Sequence, residues 1–136
     1  MKSRFLPAYL VTLVVFLVLD GLWLGLVAQS LYQSQLGALM SKTPLWAAAV
    51  LFYLLYIVGL VVFVVAPALR TGGPRSAALH GALFGLVAYA TYDLTNLATL
   101  NGWPVTITLI DLVWGATVTA ASSALAVLIL SRRKTA

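Results

Sequence analysis

Val11-Thr12-Leu13-Val14-Val15-Phe16-Leu17-Val18-Leu19-Asp20-Gly21-Leu22-Trp23-Leu24-Gly25 is an apolar run broken by one acid. Its length and composition read as a membrane helix, and a carboxylate in hydrocarbon costs about 2.5–3.5 kcal/mol on insertion scales. The chain repeats the arrangement at Asp93 and Asp111, which complete its acidic residues. All eight lysines and arginines lie outside the apolar runs. Three acids placed at that cost imply a task at membrane depth.

The rest of the 136-residue chain agrees. It is 62% hydrophobic and 8% charged, with a mean hydropathy of +1.05, far from the composition of a soluble domain. The net charge of +5 comes from basic residues at the ends of apolar runs. Headgroups and the positive-inside rule place them there, so nucleic acid is not an expected partner and membrane lipid is. The absence of cysteine excludes disulfides and thiolate chemistry within the chain. A single histidine, His80, excludes a multi-histidine metal site or bis-histidine haem from one subunit. Neither a cofactor nor a metal is expected.

Four apolar runs, at about 5–28, 45–66, 77–100 and 105–130, each suffice for a span of roughly 20 residues. They predict an all-α integral membrane four-helix bundle, a single transmembrane domain over 1–136. The first run is too long for a signal peptide and is read as a retained helix. Residues 29–43 read as a polar, amphipathic loop and 67–76 as a turn. Asn101-Gly102-Trp103-Pro104 reads as a tight turn before the last helix. Lys2, Arg4, Arg70, Arg75, Arg132, Arg133 and Lys134 fall on one side of four spans and Lys42 on the other. That bias predicts both termini in the cytoplasm.

With this topology, Asp20, Asp93 and Asp111 each lie roughly 10–12 Å below the outer end of their helix, at about 1.5 Å per residue. Tyr53 and Tyr56 reach the same depth from the second helix. Trp23 follows Asp20 by three residues and Trp114 follows Asp111 by three, so each pair shares a helix face. Tyr89, Tyr92, Asp93 and Asn96 form one stripe of the third helix, with Thr95 and Thr108 close in sequence. These residues are expected to line one ligand or ion site. The alternative is that the carboxyls hold helices together, a role worth under about 2 kcal/mol per contact. Trp46, Trp103 and Tyr32 read as interfacial belt residues, and His80 as an interface residue about 20 Å from Asp93. Lacking a basic partner, the acids are expected to protonate, share protons or bind something positive. Aromatic faces beside carboxylates suit an organic cation or an ethanolamine- or choline-like headgroup. Gly21-x-x-x-Gly25 and Gly81-x-x-x-Gly85 both carry the spacing that lets helix backbones approach closely.

The segments Leu19-Asp20-Gly21-Leu22-Trp23-Leu24-Gly25, Tyr92-Asp93-Leu94-Thr95-Asn96-Leu97-Ala98-Thr99, Trp103-Pro104 and Asp111-Leu112-Val113-Trp114-Gly115 together resemble a family of small bacterial membrane proteins of unknown function, number 2177. The resemblance covers nearly the whole chain and implies a multi-span protein of the bacterial inner membrane, with no activity attached. Three functions are compatible with the residues. The first is binding or transport of a proton, cation or small cationic or lipid-headgroup ligand. The second is an accessory role, as a homodimer or beside a partner membrane protein. The third is a lipid-modifying enzyme with an aspartate as general acid–base, disfavoured because no metal triad, phosphate loop or nucleophile–base pair is present.

Overall fold

A computed structural model describes the backbone from Lys2 to Thr135 and the side chains from Arg4 to Arg132. Lys2, Arg133 and Lys134, used above for orientation, therefore have side chains outside the described residues. Among the described residues every element is helical.

Helix α1 runs Lys2–Leu22 and continues through a wider, π-helical turn, Trp23–Val27. A short helix α2, Gln29–Leu36, follows and ends in a tight turn over Gly37–Leu39. Helix α3 runs Trp46–Leu60, widens at Val61–Val65 and finishes as Ala66–Arg70. Helices α4, Gly73–Thr99, and α5, Val105–Thr135, complete the chain. Uninterrupted Leu, Val, Ala and Ile drive this choice, because a helix satisfies its own backbone polar groups where water cannot. The Thr91, Thr99 and Thr117 hydroxyls donate to the carbonyls of Val87, Thr95 and Val113 four residues earlier. These polar side chains are thereby satisfied locally.

Three helical stretches are both long and apolar enough to cross a membrane: Arg4–Val27, Trp46–Arg70 and Val105–Arg132. Helix α4 has 27 residues but is more polar. The turn between α3 and α4 is shorter than the run 67–76 expected from composition. Pro74 occupies the first turn of α4, where a missing N–H costs nothing, while Pro67 follows directly on the wide turn of α3, where the bond ladder is already interrupted. The chain reverses at Thr71-Gly72. Gly72 has φ +97°, and a Cβ there would stand 2.5 Å from that of Ser76, so only glycine fits. At the other end Asn101-Gly102 makes the turn, with Gly102 at φ +76°, as the sequence led us to expect.

Helices α4 and α5 form the tightest pair. A Cβ on Gly85 would lie 2.1 Å from the Gly115 carbonyl oxygen and 2.5 Å from Thr119 Oγ1. One on Gly115 would overlap the Tyr89 ring, and one on Gly81 would meet the Thr119 carbonyl at 2.9 Å. Gly21 and Gly25, by contrast, have nothing within 4 Å of a built Cβ, so their shared spacing is not used for packing. Helix α1 lies antiparallel on α5, and α3 closes the group through Phe16, Tyr56, Ile57, Leu60, Val61 and Val65, all buried. Of the large apolar side chains turned outward, most are Leu, Val and Phe, as a lipid-facing surface requires.

Candidate functional site

All three acids are turned inward: Asp20, Asp93 and Asp111 are 6%, 0% and 8% exposed. Each lies six or seven residues from the end of its helix, before Val27, before Thr99 and after Val105 respectively. All are therefore about 9–10 Å along the axis from the same end of the bundle. Arg4, Arg70, Arg75 and Arg132 belong to the opposite end.

Asp20 receives two donors from two other helices. Tyr53 Oη, on α3, donates to its Oδ2 at 2.5 Å, and Trp114 Nε1, on α5, donates to its Oδ1 at 3.0 Å. Each such bond to a charged acceptor is typically worth about 1.5–3 kcal/mol. Two further lone-pair directions remain on the carboxylate. Asp111 receives a short hydrogen bond from the Tyr32 hydroxyl, which itself accepts from Trp23 Nε1 at 3.3 Å. Burial, and then the hydrogen bond to Asp111, raise the pKa of Tyr32 above the ordinary tyrosine value, so the phenol stays a donor at neutral pH. Between the acids the Trp23 and Trp114 indoles stack, with centroids 4.5 Å apart and planes 13° from parallel.

Asp93 differs from the other two. Its carboxyl is buried beside Asp111 and Trp103, yet neither oxygen has a hydrogen-bond partner among the described residues, and neither does Trp103 Nε1. The Trp103 ring packs edge-on against Tyr92 at 5.6 Å.

These side chains surround a cavity of about 550 Å³. Of the expected site residues, Asp20, Trp23, Tyr53, Tyr89, Tyr92, Asp111 and Trp114 line it. Asp93, Asn96 and Tyr56 do not. Asn96 lies beside Tyr92 on the same helix, and Tyr56 bonds Thr119 Oγ1 at 2.8 Å under the cavity floor. Thr95 and Thr108 bond back to carbonyls of their own segments. Tyr32 and Trp103, read above as belt residues, line the cavity instead, while Trp46 is 69% exposed. Helix α2 folds over the cavity and brings Tyr32 to Asp111, 79 positions away. No local spacing in the sequence signals that contact. His80 Nδ1 lies 3.2 Å from the hydroxyl and 2.9 Å from the carbonyl oxygen of Ser76, one turn earlier on its own helix.

The cavity lining contains no lysine, arginine or histidine, and eight of its fourteen residues are aromatic. Among the described residues, no three acidic or histidine side chains are grouped closely enough to hold a metal ion. The arrangement offers carboxyl oxygens and π faces to an occupant.

The pattern of a protein family described as "Predicted membrane protein (DUF2177)" matches residues 5–128. Nothing among the curated proteins or the solved structures matches.

Proposed function

This chain belongs to the DUF2177 family of predicted membrane proteins, and from that premise we propose that its cavity binds, or carries across the membrane, a small positively charged organic ligand. One observation carries the reading. A cavity of about 550 Å³ is lined by two carboxyls and eight aromatic rings, with no basic side chain to neutralise them. An ammonium group there gains from both kinds of wall, because carboxylates attract it and ring faces attract it by cation–π contact. The volume lies within the range typical of sites for small organic ligands.

In this reading α4 crosses the membrane as a fourth span. It is long enough, at 27 residues; its Asp93 is buried, and its exposed Thr91, Thr95 and Thr99 hydroxyls bond back to carbonyls of the same helix. All basic residues but Lys42 gather at the end away from the cavity, a bias that supports a cytoplasmic placement of that end and an outer-facing site in a bacterial inner membrane. An accessory role built on pairing the acids with a partner's basic residues is not favoured, since all three carboxyls are covered within the chain. An enzyme is not favoured either, because the acids face donors and rings without a nucleophile beside them.

Titration of the purified protein with choline, followed by the fluorescence of the Trp23–Trp114 stack, tests the proposal. Saturable quenching is expected with choline but not with its neutral isostere 3,3-dimethylbutanol. Asp20→Asn and Asp111→Asn should keep the helical fold and lose the response. Equal responses to both compounds, or Asn variants that bind as wild type does, would return the acids to a role as helix glue.

A further inference from the structure

The cavity has a mouth, and its position narrows the ligand further. Phe52 and Tyr92 both line the cavity and are 48% and 57% exposed, so they stand where it meets the surface. Phe52 is on α3 and Tyr92 on α4, two helices that part at this level. Near their connecting turn they are in contact: Val61–Val65 and Ala66–Arg70 pack on α4, and Gly59 meets the Phe84 ring. Above Tyr56, whose ring is 5.4 Å from that of Phe84, α3 leans mainly on α1, where Tyr53 reaches Asp20. The gap left between α3 and α4 is flanked by Leu51, Leu55 and Val87, which are 66%, 66% and 57% exposed. Phe52 lies six residues inside α3, about 9 Å from its Trp46 end. The mouth therefore opens on an apolar wall at the height of the helices, while α2 lies across the end of the bundle.

We propose that the occupant is a cationic amphiphile, an ammonium head on an alkyl chain with no phosphate, which enters sideways from the lipid between α3 and α4. The inference rests on the ligand reading above and adds the tail, the route and the exclusion. The head sits against Asp20 and Asp111, and the chain leaves past Phe52 and Tyr92 into hydrocarbon. A phosphate is disfavoured because no basic side chain lines the cavity, and an anion placed beside two unneutralised carboxyls is repelled. Zwitterionic phospholipids, the commonest neighbours in a bilayer, are thereby rejected, which a binding site surrounded by them requires.

The test uses the wild-type protein in nanodiscs and an alkyltrimethylammonium probe with a photoreactive diazirine in its chain. Competitors are tetramethylammonium, dodecyltrimethylammonium, dodecanol and dodecylphosphocholine. Labelling is expected at α3 and α4 around Phe52 and Tyr92. Dodecyltrimethylammonium should suppress it at a concentration at least about 100-fold below that of tetramethylammonium, because each buried methylene multiplies affinity about fourfold. Dodecanol and dodecylphosphocholine, which enter the bilayer equally, should not compete. Tetramethylammonium competing as well as the long-chain cation would overturn the amphiphile and leave a soluble-cation site standing. Competition by dodecylphosphocholine would overturn the phosphate exclusion. The absence of any saturable labelling, together with a silent choline titration, would remove both readings. The chain has no cysteine, so Phe52→Cys gives a clean check on another occupant. An intermolecular disulfide formed in native membranes through that position would assign the gap to a second copy of the chain and overturn the lipid route.

Discussion

Trp114 on α5 gives its indole N–H to Asp20 on α1 at 3.0 Å, although an acid of its own helix, Asp111, lies only three residues before it. Trp23 makes the reverse crossing, reaching Asp111 through the Tyr32 hydroxyl. Each Asp-x-x-Trp unit thus serves the acid of the other helix, and the two indoles stack where the crossings meet. The antiparallel course of α1 and α5 makes this exchange possible: Asp20 stands level with Trp114, and Trp23 with Asp111.

Trp114→Phe keeps an aromatic ring in the stack and deletes one donor to Asp20. A buried acceptor deprived of a partner typically costs about 1–3 kcal/mol. A lower unfolding temperature in detergent is expected, and the loss should shrink when Asp20→Leu, which removes the acceptor, is already present. Strictly additive losses in that double-mutant cycle would show that the bond contributes nothing.

Gly85→Ala places a methyl 2.1 Å from the Gly115 carbonyl oxygen and should destabilise the protein by about 1–3 kcal/mol or prevent its accumulation. Gly25→Ala, with nothing within 4 Å of the new methyl, should be tolerated. Parallel thermal-shift measurements on the two variants provide the comparison, and equal effects would contradict the dovetailed pairing of α4 and α5.

Tyr32→Phe should release α2 from α5 and speed hydrogen exchange across Gln29–Leu36. The raised pKa of Tyr32 also sets a sign. The folded state favours the neutral phenol, so this contact contributes fully below the ordinary value of 10.0 and weakens as pH rises through the raised value. The wild-type advantage over Tyr32→Phe in α2 protection should therefore persist at neutral pH and shrink only in strong alkali. A loss near neutrality would contradict it.

Topology is open to a direct measurement in intact cells. A cysteine at Ser41 should react with an impermeant thiol reagent, and one at Ser76 should react only after the membrane is opened. The opposite labelling would invert the protein and turn the cavity toward the cytoplasm.

The all-helical fold was legible because four apolar runs leave a membrane helix few alternatives, and Asn101-Gly102 marked its own turn. The common depth of the three acids followed from counting residues along helices. What could not be read was which side chains meet across them. Tyr32 and Trp103 lie in polar connecting segments, where an aromatic ring at a headgroup and one folded over a cavity look alike in sequence. Asp93 shares the depth of the other acids but is buried behind Asp111 and Trp103 rather than on the cavity wall, and residue counting alone does not separate those two positions once helices tilt and widen. Gly21 and Gly25 carried the same spacing as Gly81 and Gly85, yet only the second pair faces another backbone.

That asymmetry divides the helix contacts into two kinds, backbone against backbone and side chain against side chain. Where backbones touch at Gly81, Gly85 and Gly115, no side chain intervenes whose rotation could let α4 and α5 slide. On the other flank, α1 and α3 meet their neighbours through side chains, aliphatic and aromatic, and both contain a wide turn, at Trp23–Val27 and Val61–Val65, where the helical bond ladder changes step. If the proposed ligand does enter, room for it has to come from side-chain rearrangement on α1, α2 and α3, because α4 and α5 are locked backbone to backbone.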